Sequence, residues 1–312
     1  MKSGIKPSMV VCVALFVASA PTVAQDSRLR TIHVFVALAD NQSQGIVPVA
    51  AKLGNGEDAE RNLYWGSAYG VKTFFARSAD WVRISCGEKP KAEVLERCVF
   101  KHRAANVYFV YWGSAYGVKT FFARSADWVR ISCGEKPKAE VLERCVFKHR
   151  AANVYFVADA YRGREIRQAI LDFLSSAAGD GAETLSVSGA SGAVKLPIRG
   201  GANLVAYIGH DGLMDFQLSQ FPHKKNGVHR DAVVLACASK QFFAEPMRAS
   251  GAYPLLWTTG LMAPEAYTLK SALDGWIAGE SDEQIRDRAA GAYDKYQKCG
   301  FRGAHRLLVS GW

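Results

Sequence analysis

The chain has 312 residues, 49% of them apolar and 22% charged, with a formal net charge of +10 at pH 7. That composition excludes a disordered or fibrous protein and fits a globular one. A charge of +10 would point to nucleic acid or an anionic surface, but a leader and a repeat supply most of it. Lys2 and Lys6 precede the uncharged apolar run Met9–Ala18, and the small residues Ser19-Ala20-Pro21-Thr22-Val23-Ala24 follow. This is the pattern of a secretory signal peptide over residues 1–24. The run is shorter than the roughly 20 apolar residues that span a bilayer, which weighs against the competing reading, an N-terminal anchor. The mature protein is expected in a periplasm or outside the cell, with no membrane span. Thr31–Leu38 is the first expected strand, ending at the turn Ala39-Asp40-Asn41.

Tyr64–Val110 recurs letter for letter as Tyr111–Val157, 47 residues in each copy. Solenoid repeats drift in sequence and usually need three or more units, so two identical copies read as an in-frame duplication or an assembly error. Each copy is expected to hold a helix and a strand or two. The aromatic stretch Tyr64–Gly70 either lines a groove or starts that helix, with Val71, Phe74 and Phe75 facing inward. One copy, or a composite of both, should enter the core while the surplus loops out. One copy carries eight Lys/Arg against four Asp/Glu, so counting it once and leaving out Lys2 and Lys6 reduces +10 to +4. What remains is one mildly basic domain within residues 25–312, and no nucleic-acid partner is expected.

Cys86 and Cys98 recur as Cys133 and Cys145, a close pair able to form a disulfide in an oxidising compartment. No CxxC pair or His/Cys spacing argues for a metal. Val187–Gly192 lacks the Lys-Ser/Thr of a phosphate cradle, so neither metal nor cofactor is expected. Further strands are expected at Asn153–Ala158, Asn203–Gly209, Ala232–Ala238 and Pro254–Thr258. Helices are expected at Gly163–Ala177, Pro264–Ala278 and Asp282–Cys299, the last capped by Asp282. Apolar strands alternating with amphipathic helices define an α/β fold, a mostly parallel sheet with helices on both faces. His223, Lys224, Lys225 and His229 read as an exposed loop.

Ligands of such sheets bind beyond the carboxyl ends of the strands. Those ends carry Asp40, then Asp159 and Arg162, then His210, then Cys237 and Ser239, then Thr258 and Thr259. His210 and Cys237 end consecutive strands. A thiolate is a strong nucleophile and needs a nearby His to take its proton; Gly212 is placed to offer an amide to an oxyanion. The plainer alternative is a Cys packed as a small hydrophobe and a hydrogen-bonded structural His.

Tyr207-Ile208-Gly209-His210-Asp211-Gly212 followed by Leu235-Ala236-Cys237-Ala238-Ser239 resembles the His-Gly and Ala-Cys signature of the clan CD cysteine peptidases, the caspases, metacaspases, legumains and gingipains. The Ala-Cys-x-Ser string is most similar to that of legumains. The resemblance implies a single caspase-like domain after the leader and a secreted cysteine endopeptidase acting on a peptide or protein. His210 would be the general base or proton donor, Cys237 the nucleophile, and the amides of Gly212 and Cys237 the oxyanion hole. It also implies a substrate pocket at Asp40 and Asp211, with Ser239 and Thr259 alongside, suited to Lys or Arg before the cut. Asp40 equally reads as a turn former. Asp211 separates His210 from Gly212, and Leu235 stands where an acidic residue commonly precedes Ala-Cys. These departures carry an alternative, a non-catalytic binding or interaction module on the same fold.

Overall fold

A computed structural model describes residues 28–312 except 47, 66–80, 92–93, 103–107, 113–117, 136–137, 190–191 and 226. The expected leader, residues 1–24, and the first copy's Val71, Phe74 and Phe75 lie outside the described residues. An eight-stranded sheet runs through the molecule. Five of its strands are parallel neighbours: β7 (Val154–Tyr161), β1 (Arg30–Ala37), β10 (Leu204–Ile208), β11 (Asp231–Leu235) and β12 (Tyr253–Thr258). The short β13 (Leu308–Val309) closes one edge antiparallel to β12, and the hairpin β5 (Trp128–Glu135) with β6 (Val141–His149) extends the other. A separate hairpin, β8 (Glu183–Gly189) with β9 (Gly192–Ile198), packs Val187, Leu196 and Ile198 against Val146 of β6 and Tyr155 and Val157 of β7.

The parallel strands are buried on both faces, which is why they read as apolar runs rather than alternating ones. On β1, Ile32, Val34 and Val36 join one core cluster and Phe35 and Ala37 the other, the period of two that a strand imposes. The first face packs α5 (Ala266–Ala278), α6 (Asp282–Gln297) and α7 (Phe301–Leu307). The opposite face packs α2 (Ile166–Ala177) and α4 (Ala244–Ser250), with Phe173 and Met247 fully buried. Helix α6 is capped by Ser281, whose hydroxyl and Gln284 form a reciprocal capping box; the cap expected at Asp282 falls one residue earlier, because the shorter hydroxyl reaches the free N–H of Gln284. Residues 223–225 and 227–229 are exposed, as the sequence indicates. Among the described residues no helix is long and apolar enough to cross a membrane.

The two copies of the repeat part company. The second supplies α1 (Val118–Arg124), β5, β6 and the first half of β7 to the main sheet. The first supplies β2 (Trp81–Lys91), β3 (Val94–His102) and β4 (Tyr108–Trp112), a three-stranded antiparallel sheet of its own. Tyr64 and Trp65 of the first copy nonetheless sit in the main core with Phe122 and Trp128 of the second. The core is therefore a composite of both copies. Cys145 is disulfide-bonded, and the β5–β6 register sets Cys133 opposite it.

Asp159 departs from its expected place beyond a strand end. Strand β7 runs on to Tyr161, and Asp159 is fully buried inside it. Its charge is tolerated there because the Arg144 guanidinium grips both oxygens, at 2.5 and 2.6 Å, and His33 Nε2 lies 3.1 Å away. His33 Nδ1 accepts the Arg199 backbone N–H at 3.0 Å, so the ring is neutral and donates from Nε2. Burial lowers the affinity of His33 for a second proton, and the Arg144 and His33 bonds hold Asp159 well below the usual carboxylate range. Arg162, at the true strand end, pairs with Glu57 and donates to Ala139 O.

Candidate active site

Ile208 and Leu235 are the last registered pair of β10 and β11. Both strands end there, and the chain reaches His210 two residues beyond the first and Cys237 two residues beyond the second. Adjacent strands lie about 4.8 Å apart, so both residues follow the carboxyl ends of neighbouring strands. Gly209 permits this exit: with φ at 149° it passes so close to β1 that a Cβ would meet Ala37 O at 2.7 Å. After Cys237 the chain turns through Ala238 in the left-handed region, φ 49° and ψ 32°, and enters α3 (Ser239–Phe242). A non-glycine residue held there costs roughly 1–3 kcal/mol and tends to mark a functional turn. The Ala238 N–H donation to Gly260 O at 2.8 Å fastens it.

His210 is only 8% exposed. Its backbone oxygen accepts the Tyr207 hydroxyl at 2.7 Å, and its Nε2 lies 2.6 Å from Asp215 Oδ2. Between them a 3-10 turn spans Gly212–Met214, capped by Asp211, whose Oδ1 accepts the Leu213 N–H at 3.0 Å. Asp211 is fully buried, and its Oδ2 has no hydrogen-bond partner among the described residues. Burial, reinforced by nearby Asp215 and opposed by the Leu213 N–H, pushes its carboxyl up to about 7.

The Cys237 sulfur faces the loop before α5. It accepts the Met262 N–H at 3.4 Å and approaches Met262 O at 3.6 Å. Burial raises its thiol above the ordinary range, and the Asp211 charge adds to this while the Met262 N–H opposes it. No hydrogen bond joins Cys237 to His210 among the described residues; in resting enzymes such contacts are often long and tighten only on binding. The Cys237 N–H has no backbone acceptor among the described residues. Tyr64 is buried close by, its hydroxyl raised by burial and by the charges of Cys237 and Glu265.

Several expected roles change. The Gly212 N–H donates to His210 O at 3.1 Å, so it is spent within the turn rather than offered to an oxyanion. Gly212 is required instead for space, since a Cβ would meet the Phe216 ring at 2.8 Å. Asp40 binds its own loop, accepting the Gln42 N–H at 3.0 Å and the Ser43 hydroxyl at 2.7 Å. Ser239 is fully buried, its hydroxyl 2.9 Å from Val234 O and 3.1 Å from Thr258 Oγ1. Thr259 donates to Arg306 O at 2.9 Å at the end of α7. These three are turn and packing residues, and Asp211 alone of the expected pocket stays with His210 and Cys237. Asp215 and Met262 escaped the sequence reading, which considered Tyr64 only as part of the aromatic stretch Tyr64–Gly70. Asp215 had one local signal, a carboxylate five residues beyond the His across a turn-forming Asp-Gly.

No clusters of His, Cys, Asp or Glu fit to hold a metal occur among the described residues. Comparison with protein-family models, curated proteins and solved structures finds no match. Fold and site together define an α/β protein on a mostly parallel eight-stranded sheet, with a His and a Cys at neighbouring strand ends.

Proposed function

We propose that this chain is an exported cysteine hydrolase, an endopeptidase of the caspase-like kind that its His-Gly and Ala-Cys strings resemble. The observation that carries this reading is the shared level of His210 and Cys237 beyond the Ile208–Leu235 pair. The strained turn at Ala238 supports it, because it sets the sulfur at a sharp strand-to-helix corner. In this mechanism the Cys237 sulfur attacks the substrate carbonyl and its proton passes to His210. His210 returns that proton to the leaving amine, and water then hydrolyses the thioester. The Cys237 N–H is one donor for the oxyanion. Asp211 lies close enough to oppose formation of the thiolate, and a Lys or Arg before the cut would cancel that charge. Such a substrate would ease ionisation of the nucleophile.

Export rests on the leader-like residues 1–24, and the disulfide at Cys145 accords with an oxidising compartment. N-terminal sequencing of the mature protein should then read from Gln25. The catalytic test is hydrolysis of peptides with basic, Asn or Asp residues before the cut, under reducing conditions, by the wild type and by Cys237→Ala. Equal turnover by the two proteins overturns the proposal.

A second reading, a non-catalytic binding module, is favoured by the Cys237–Met262 contact and by the engaged Gly212 amide. Iodoacetamide separates the two near neutral pH, since a buried structural thiol is inert. A native Cys237 that resists labelling supports the module.

A further inference from the structure

Asp215 stands outside every motif read in the sequence, yet it contacts His210 directly. Asp215 Oδ2 accepts twice, from His210 Nε2 at 2.6 Å and from the Gly45 N–H at 2.9 Å. The second bond comes from the loop after β1 and the first from the end of β10, so two strand ends converge on one carboxylate oxygen. The turn beneath is built to hold it there. The Asp215 N–H donates to Gly212 O at 3.0 Å, Asp211 caps the turn, and Tyr207 pins the His210 carbonyl. Space is equally constrained, since a Cβ on Gly45 would lie 2.4 Å from Asp215 Oδ1.

We infer that Asp215 is the positioning residue of His210. It holds the neutral ring with the proton on Nε2, leaving the Nδ1 lone pair to take the proton of Cys237. A carboxylate accepts only, so it selects this tautomer, and it stabilises the imidazolium that forms once the proton arrives. It does not touch the substrate. This inference rests on the proposed cysteine-hydrolase reading for its catalytic consequence, but not for its structural one.

The test uses Asp215→Ala and Gly45→Ala in the full chain, with two readouts. Nitrogen NMR of His210 reports the tautomer without any substrate. The wild type should carry its proton on Nε2. Asp215→Ala leaves Nε2 without its acceptor and should populate the Nδ1–H form as well. In peptide hydrolysis Asp215→Ala should lose on the order of 10⁴-fold in kcat with KM nearly unchanged. Gly45→Ala, which crowds the carboxylate from the other side, should show the same changes in weaker form, and circular dichroism confirms the fold of both. A wild-type tautomer and kcat in Asp215→Ala overturn the inference. If the wild type hydrolyses nothing, the hydrolase proposal fails and the NMR result alone decides whether Asp215 sets the ring.

Discussion

The Trp65 indole N–H donates to the Glu143 carboxylate at 2.9 Å. Trp65 is the second residue of the first repeat copy and Glu143 lies in the hairpin of the second, so the contact crosses the duplication. Because the copies are identical, removing residues 66–112 or any other 47-residue window that starts within Tyr64–Tyr111 yields one and the same chain. That chain joins Tyr64-Trp65 directly to the segment leading into α1. The 265-residue variant should fold with the eight-stranded sheet intact and unfold within about 4 °C of the full chain. Thermal unfolding and amide NMR of the shortened protein check this; a collapse of its cooperative transition would show that β2–β4 support the core.

Asp211 should govern the reactivity of Cys237 with a definite pH signature. Its charge opposes the thiolate only when the carboxyl is ionised, above about 7. Asp211→Asn keeps the cap on the Leu213 N–H through its amide oxygen. Alkylation of Cys237 by iodoacetamide should therefore speed up at pH 8, on the order of threefold, and stay unchanged relative to wild type at pH 6. Rates measured at both pH values by mass spectrometry decide it.

The same substitution should change stability in a pH-dependent way. A carboxyl raised to about 7 in the folded state contributes fully below its ordinary value near 4, and that contribution is lost as pH climbs through 7. The ionised buried group costs up to ~4 kcal/mol. Asp211→Asn should then be more resistant to denaturant than wild type at pH 8 and no better at pH 4.

Asp159→Asn should be among the most damaging changes in the sheet. It leaves Arg144 with a buried charge and half its partners, a loss of about 3–5 kcal/mol, read as a lower denaturant midpoint. Both members of the His33–Asp159 pair titrate below their ordinary values. Their contribution is present above those values and lost on acidification, beginning near pH 6.5 for His33 and near 4 for Asp159. The difference in midpoint between wild type and variant should shrink accordingly as pH falls below about 4.

Ser239→Ala should act on stability and leave substrate binding alone. The hydroxyl bonds Val234 O and accepts the Thr258 N–H at 3.0 Å, so its loss costs about 1–3 kcal/mol. The KM for any peptide substrate should remain that of the wild type; a raised KM would restore Ser239 to the pocket.

The sequence by itself determined the α/β layering, since strands such as Ala232–Leu235 are apolar throughout and can rest only in a sheet covered on both faces. It also placed His210 and Cys237 just beyond consecutive strands, because a strand of this kind ends where its apolar run stops. It could not choose between two identical copies of 47 residues, for local propensity is the same in both. Only the tertiary structure did, by extending β7 through Asp159 to Tyr161, residues that follow the second copy alone, into register with β1. Likewise Asp159 reads as polar and therefore terminal until Arg144 and His33 neutralise it in the core. Asp215 reads as one carboxylate among many until a 3-10 turn folds it back onto His210 and Gly45 arrives from another strand end. Periodicity reports burial along one element, whereas a pairing between elements exists only once the sheet has brought their ends together.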